Sequence, residues 1–360
     1  MPIPTALQKL NNRLLLVTPR LIKKKPLFLV RVLLRILAQR LFKRKRLRSI
    51  LFHSHYKCNL NCTHCYEKRF HKTNEKLLTL EEKKKVIADC LKLGVISFDF
   101  VSGESVLDPD LPELLKACRY SRTYITLATN GYDFTEKKIK YLLDIGVDKM
   151  NISLDSWYPE EHDGIRGKEG VHEQALKTLE LCKKVGMGHH VTIFVYKNST
   201  KTEGFKKLVE YAAENNIRVA LKLAIPLGAW EGKHDSLITE DDKKTLLELQ
   251  KKYPFVKTCH SGNRSGGCPA MDEVITITAY GDVLPCNGIH ISLGNVRREK
   301  IQTILDRGNK IEYFKRGFNG CPPAEDMTFI ESYLSKTYDA DPYPVKAKDV
   351  FEELRIGEDS

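Results

Sequence analysis

Acidic residues are missing from the first 50 positions, although 46 occur in the whole chain. Fourteen Lys and Arg lie in that stretch, and the remainder is balanced at 45 basic to 46 acidic, so the net charge of +13 belongs to an N-terminal arm. Basicity therefore says nothing about the charge of a substrate at an active site. A run of ~20 largely uncharged apolar residues is also missing, which excludes a conventional membrane-spanning helix. The N-terminus lacks an apolar core followed by a small-residue cleavage site, which excludes a recognisable secretory signal. Ten cysteines without a secretory context read as reduced thiols in a cytosolic compartment, not as a disulfide framework. The arm is poor in aromatics interleaved with base-reading side chains, so no specific nucleic-acid partner is expected; a basic tail on an RNA-binding or RNA-modifying protein is the reading of another class.

What the arm does have is a long apolar stretch at 27–42, interrupted by Arg31, Arg35 and Gln39. On a helix these three form a narrow polar stripe. Lys23–Lys25 precede it and Lys43–Arg46 and Arg48 follow. Two readings stand side by side: a helix lying in a membrane interface, with peripheral contact through residues 20–48 on the inner face, and a helix packed on the body with a solvated basic face. An Arg-rich, acid-free transit peptide is a third.

The body is organised around Cys58-Asn-Leu-Asn-Cys62-Thr-His-Cys65. Turn-favouring residues separate the thiols, so the run reads as a loop that bends three sulfurs toward one point. Soft thiolates select iron–sulfur clusters or zinc. A cubane cluster takes four cysteines, so three leave one iron open; a zinc site would want a second CxxC or a His pair, and none lies nearby in the chain.

From residue 50, strands predicted at 50–56, 96–101, 124–128, 149–154, 191–196 and 219–225 alternate with helices predicted at 80–93, 111–120, 135–145, 171–185 and 203–215. This spacing argues for parallel strands with helical crossovers, a partial (β/α)6 TIM-like barrel whose chemistry gathers at the C-terminal strand ends. Candidate residues fall there: Gly103 and Glu104 after the second strand, Thr129-Asn130-Gly131 after the third, Ser153 and Asp155 after the fourth, and Asn198 past the fifth. A glycine-rich stretch, 162–170, contains Arg166, which suits bidentate pairing with a carboxylate. Residues 226–258 read as a linker and a solvated helix. Cys259, Cys268, Cys286 and Cys321 follow, with a hairpin predicted between Cys268 and Cys286 around Gly281-Asp282. Cys90, Cys118 and Cys182 lie in predicted helices and read as buried small apolar residues.

The CxxxCxxC run resembles the signature of radical S-adenosylmethionine (SAM) enzymes. Cys268-x12-Gly281-x4-Cys286 resembles the start of their SPASM and twitch extensions, although the further CxxCx5Cx3C run of a full SPASM domain is absent. The resemblance covers about 50–325 and divides the chain into an arm at 1–49, a radical SAM core at 50–225, a linker and helix at 226–258, an auxiliary-cluster domain at 259–325 and a tail at 326–360. It implies a [4Fe-4S] cluster on Cys58, Cys62 and Cys65, with SAM on the open iron. It further implies Gly103 and Glu104 at the SAM amino group, Arg166 at its carboxylate, Ser153 and Asp155 at its ribose and His64 facing its adenine. One auxiliary [4Fe-4S] cluster on Cys259, Cys268, Cys286 and Cys321 is implied as well, a tetrathiolate zinc site being the other use of four thiols. The resemblance implies reductive SAM cleavage with electrons from a flavodoxin- or ferredoxin-type donor. A fully ligated auxiliary cluster favours a net oxidation. A membrane-associated arm suits a lipid or polyprenyl-linked substrate; maturation of a ribosomally made peptide is the alternative.

Overall fold

Strand and helix alternate as the spacing predicts. The structure, a computed structural model, describes residues 23–42, 47–72, 75–258, 267–315 and 320–354. Six parallel strands run β1 (Ser49–Phe52), β2 (Ser97–Phe100), β3 (Tyr124–Thr129), β4 (Lys149–Ser153), β5 (Gly188–Val195) and β6 (Arg218–Leu223), each hydrogen-bonded to the next. The arm helix is α1 (Pro26–Phe42); the crossovers are α2 (Leu80–Lys92), α3 (Leu111–Ala117), α4 (Glu136–Asp144), α5 (Pro159–Arg166), α6 (Val171–Val185) and α7 (Glu203–Glu214). Thr79 opens α2 with the capping box expected from Thr79-Leu-Glu-Glu82. The core lies between sheet and helices: Ile50, Phe52, Phe98 and Phe100 are fully buried, and Phe52 meets Phe100 edge-on at 5.8 Å. Cys90, Cys118 and Cys182 are buried in this core.

Three features go beyond the predicted elements. A seventh strand, β7 (Val256–Thr258), follows the solvated helix α8 (Glu240–Lys252) and extends the sheet beyond β6. The glycine-rich stretch is half helical, since α5 ends at Arg166 and Gly167 caps it at φ 70°. The predicted hairpin is present as β8 (Val274–Ile277) and β9 (Val283–Leu284), turned at Gly281, but β8 also pairs in parallel with β1, Ile50 opposite Ile275. One nine-stranded sheet thus runs from β7 to β9 and does not close.

The tail completes the core: Phe329, Ile330, Leu334 and Phe351 are buried in it. Tyr333 packs on Phe351, Tyr338 sits 3.1 Å from His234, and Tyr343 is bonded to His290.

Helix α1 packs on the body, as one of the two readings has it, but without the solvated basic face which that reading expects. Of its polar stripe, Arg31 and Arg35 turn inward. Arg31 donates to the carbonyls of Arg122 and Val95, and Arg35 to that of Gly94. Lys25 is buried between the carbonyls of Thr123 and Gly146 and pairs with Asp148. Phe28 fills a small cluster with Ile96 and Tyr124. Among the described side chains of this helix and its start, Lys25, Arg31 and Arg35 are therefore spent on the body and form no solvated basic face. All these partners lie where the chain enters β2, β3 and β4, at the end of the sheet opposite the candidate site. The expectation that the arm delivers a lipid to the site loses its geometric basis. Among the described residues, no helix is long and apolar enough to cross a membrane.

Candidate active site

The cysteine loop leaves β1 and is pinned by backbone from three neighbouring crossovers. Glu104 N–H donates to Lys57 O, Thr63 N–H to Ile165 O, and Ala229 N–H to Cys65 O. Two glycines allow this closeness. A Cβ on Gly103 (φ 50°) would stand 2.2 Å from Lys57 O, and one on Gly167 would stand 2.4 Å from Asn61 O.

Cys58, Cys62 and Cys65 are free thiols. Burial, then the Glu67 carboxylate, pushes Cys65 up to about 12, and the nearby Cys62 and Cys58 sulfurs add to the shift. Among the described residues, no three His, Cys, Asp or Glu side chains converge on a single metal ion. Of the thiols expected at an auxiliary site, Cys268, Cys286 and Cys321 are half-buried, while Cys259 lies outside the described residues.

Glu104 is 1% exposed. Its Oε2 accepts the Asn130 N–H at 2.8 Å, and its Oε1 is buried without a partner. Burial pushes its carboxyl up to about 7. An orphaned carboxylate oxygen at the end of β2 suits an ammonium group. Asp155, past the end of β4, is driven the other way. Burial alone would raise it, but Arg166 and His162 outweigh burial and hold it well below the usual carboxylate range. Its Oδ2 takes the Arg166 Nε–H at 2.7 Å and its Oδ1 takes the Phe194 N–H at 2.9 Å. Arg166 Nη1 also approaches Cys62 Sγ at 4.0 Å. Arg166 and Asp155, read separately from the sequence, are thus a buried ion pair at the edge of the cysteine loop. Ser153 is half-buried at the end of β4. His64 stacks on Phe194 at 4.0 Å with Trp230 edge-on, and burial, then Arg166, lowers its imidazole to about 3, so it is neutral. Asn130 ties the end of β3 to the loop, Nδ2 donating to Asn59 at 2.7 Å. Asn198 is exposed, and its N–H is bonded to Asp242.

Two residues escaped the sequence reading. Glu67 is buried two positions past Cys65, accepts the Gly103 N–H at 2.8 Å, and is pushed up to about 7 by burial. Asn287, next to Cys286, donates to Tyr66 OH at 3.2 Å and accepts from Thr276 at 2.7 Å. Tyr66 in turn follows Cys65, so one hydrogen bond joins the neighbours of a loop thiol and an auxiliary thiol. Adjacency to a cysteine is the one local signal either carries.

The model of the radical SAM superfamily matches residues 54–212, and that of an iron–sulfur cluster-binding domain, SPASM, matches 268–325. The chain thus carries a radical SAM domain followed by a SPASM iron–sulfur domain. The cofactors of this radical SAM protein are accordingly a [4Fe-4S] cluster, SAM and auxiliary iron–sulfur ligation in the SPASM region, and the thiols and the orphaned Glu104 oxygen fit them. It is 24% identical over 280 residues to the AdoMet-dependent heme synthase of Methanosarcina barkeri, covering 69% of this chain and 79% of that one. It is 28% identical over 200 residues to the GTP 3′,8-cyclase of Clostridium perfringens, covering 54% and 60%. The anSMEcpe structure with bound AdoMet shares the fold at a TM-score of 0.59 and 19% identity, covering 78% of this chain and 91% of that one. SuiB of Streptococcus suis bound to precursor peptide SuiA shares it at 0.57 and 16%, covering 72% and 65%. These names include heme, GTP and a peptide, so the common fold does not specify a substrate.

Proposed function

We propose that this chain is a radical SAM oxidoreductase that removes hydrogen from an unactivated carbon of a peptide-class substrate reaching the site from the aqueous side. The observation that carries the chemistry is Glu104: a buried carboxylate with one unpaired oxygen beside a three-thiol loop. When bound, a reduced [4Fe-4S] cluster and SAM supply a 5′-deoxyadenosyl radical, the hydrogen-abstracting species. Cys58, Cys62 and Cys65 would hold that cluster. Gly103 and Glu104 would take the SAM ammonium, the carboxyl giving up its proton. Arg166 uses one of its five N–H donors on Asp155 and would turn others to the SAM carboxylate. Asp155, held ionised, would accept from ribose hydroxyls along with Ser153, and the His64–Phe194 stack would give adenine a flat, uncharged wall. The chain's task is to orient these groups and keep water out.

Cys259, Cys268, Cys286 and Cys321 would fully ligate one auxiliary [4Fe-4S] cluster. Four thiols leave no iron open to substrate, which favours oxidation over isomerisation. The peptide class is supported by the position of α1, which packs at the end of the sheet opposite the site, and by two neighbours of this fold whose structures hold peptides. The setting is a reducing cytosol with a flavodoxin- or ferredoxin-type donor. Anaerobic protein reconstituted with iron and sulfide should cleave SAM to 5′-deoxyadenosine under reduction, and Cys58→Ala should abolish this. Reconstituted wild type with no cleavage overturns the proposal.

A further inference from the structure

Helix α1 turns its apolar face away from the protein. Leu27, Val30, Leu33, Leu34 and Leu37 are exposed, Leu34 at 59%, while Arg35 on the opposite face is buried at 8%. At 100° per residue the five form one stripe about a third of the circumference wide. A surface helix ordinarily does the reverse, with its apolar stripe inward. A contiguous exposed apolar row marks an interaction surface.

Charge selects the partner. Of the basic residues around the helix, Lys25, Arg31, Arg35 and Arg48 are bonded to the body. Lys23 and Lys24 are exposed just before the helix, and the sequence places Lys43-Arg-Lys-Arg46 just after it. The row is therefore flanked by cations at both ends, with no acidic residue in positions 1–50. We infer that the outward face of α1 docks the protein onto an anionic phospholipid bilayer, the leucines entering the interface and the flanking cations meeting head groups. Because α1 sits where the chain enters β2, β3 and β4, docking turns the C-terminal strand ends, and with them the cysteine loop, away from the bilayer. The membrane is an anchor here and not the source of substrate. This goes beyond the proposed reaction and does not depend on it.

Co-sedimentation of the full-length, cluster-loaded chain tests it with phosphatidylcholine vesicles carrying about one-quarter phosphatidylglycerol. The wild type should pellet, less so with phosphatidylcholine alone. Leu33→Glu/Leu34→Glu, two changes at exposed positions, should cut partitioning at least about tenfold. Both native tryptophans, Trp157 and Trp230, lie beyond C-terminal strand ends. Brominated anionic vesicles should therefore quench a Leu33→Trp variant and leave the wild type unquenched. Wild type that stays in the supernatant, or pellets as well as the double variant, overturns the inference. So does wild-type quenching equal to that of Leu33→Trp. A concentration-dependent dimer lost in the double variant, without vesicle binding, overturns it in favour of a second copy of the chain. SAM cleavage in vesicle-free buffer is read separately, so loss of docking and loss of chemistry are distinct results.

Discussion

Glu104 and Asp155 are buried carboxylates about 50 residues apart in sequence that the fold pushes in opposite directions. Among the described residues Glu104 has no cation beside it, and its raised pKa makes the folded state bind a proton more tightly than the unfolded chain. Its stabilising contribution is complete below the ordinary value of 4.5 and is lost as pH rises through about 7. A shift of this size corresponds to a swing of about 3 kcal/mol. Glu67 contributes with the same sign. Stability of the cofactor-free chain, followed by denaturant melts, should therefore fall between pH 5 and 8, and Glu104→Gln should flatten roughly half of that slope. An ammonium ligand reverses the preference, so SAM binding near pH 7 should release about half a proton, rising toward one near pH 6, measured by calorimetry in buffers of different ionisation enthalpy; Glu104→Gln should remove that release. Asp155→Asn should behave differently. It leaves Arg166 buried without its counter-charge and should cost about 3 kcal/mol of stability. Both residues were legible as candidates because each follows a strand, but their opposite charge states were not, because the partners that set them come from other crossovers.

At the scale of elements, the cysteine loop keeps its path because neighbouring turns come up against its carbonyls. Gly103→Ala places a Cβ where Lys57 O stands, and Gly167→Ala one where Asn61 O stands. Backbone cannot yield as a flexible side chain can, so both variants should bind less iron per chain while keeping their helical circular dichroism. A Gly94→Ala control, which shares the positive φ (86°) but whose Cβ meets nothing within 4 Å, separates backbone strain from the clash and should keep its iron. The arm helix is held by a buried ion pair and carbonyl contacts more than by apolar packing. Lys25→Ala removes the buried cation paired with Asp148, which keeps its hydrogen bond from the Ile125 N–H, a loss of about 3 kcal/mol. Because α1 is a peripheral element, the loss should appear as protease-accessible undocking of the helix before global unfolding. The helix was readable from its apolar spacing, and Arg31 and Arg35 of its polar stripe share one face. Its orientation was not readable, since the acceptors for Arg31 and Arg35 lie 91 and 59 residues away.

Across the whole molecule, the hairpin of the C-terminal region shares the barrel's sheet. Removing everything after Thr258 would uncover the edge of β1, the strand that leads into the cysteine loop, and would strip the buried tail residues from the core. Such a chain should be recovered as aggregate, since an open, apolar strand edge templates association. The intact chain, reconstituted anaerobically, should hold about eight iron atoms if both sites carry cubanes. About four with one zinc would assign the auxiliary thiols to zinc instead.

The sequence by itself determined the elements and the chemistry they carry: a three-thiol loop after a first strand, six parallel strands with their crossovers, and charged groups at strand ends. These follow from spacing along the chain, a local property, and the helix predicted at 171–185 and the hairpin at Gly281 came out accordingly. Only the tertiary structure decided which face of each element meets which neighbour. It turned the arm's arginines inward and its leucines outward, set β8 beside β1, paired Arg166 with Asp155, and left one oxygen of Glu104 alone. Periodicity reveals that a helix has two faces; the carbonyls and carboxylates that claim one of them are brought up by distant segments, and only folding puts them there.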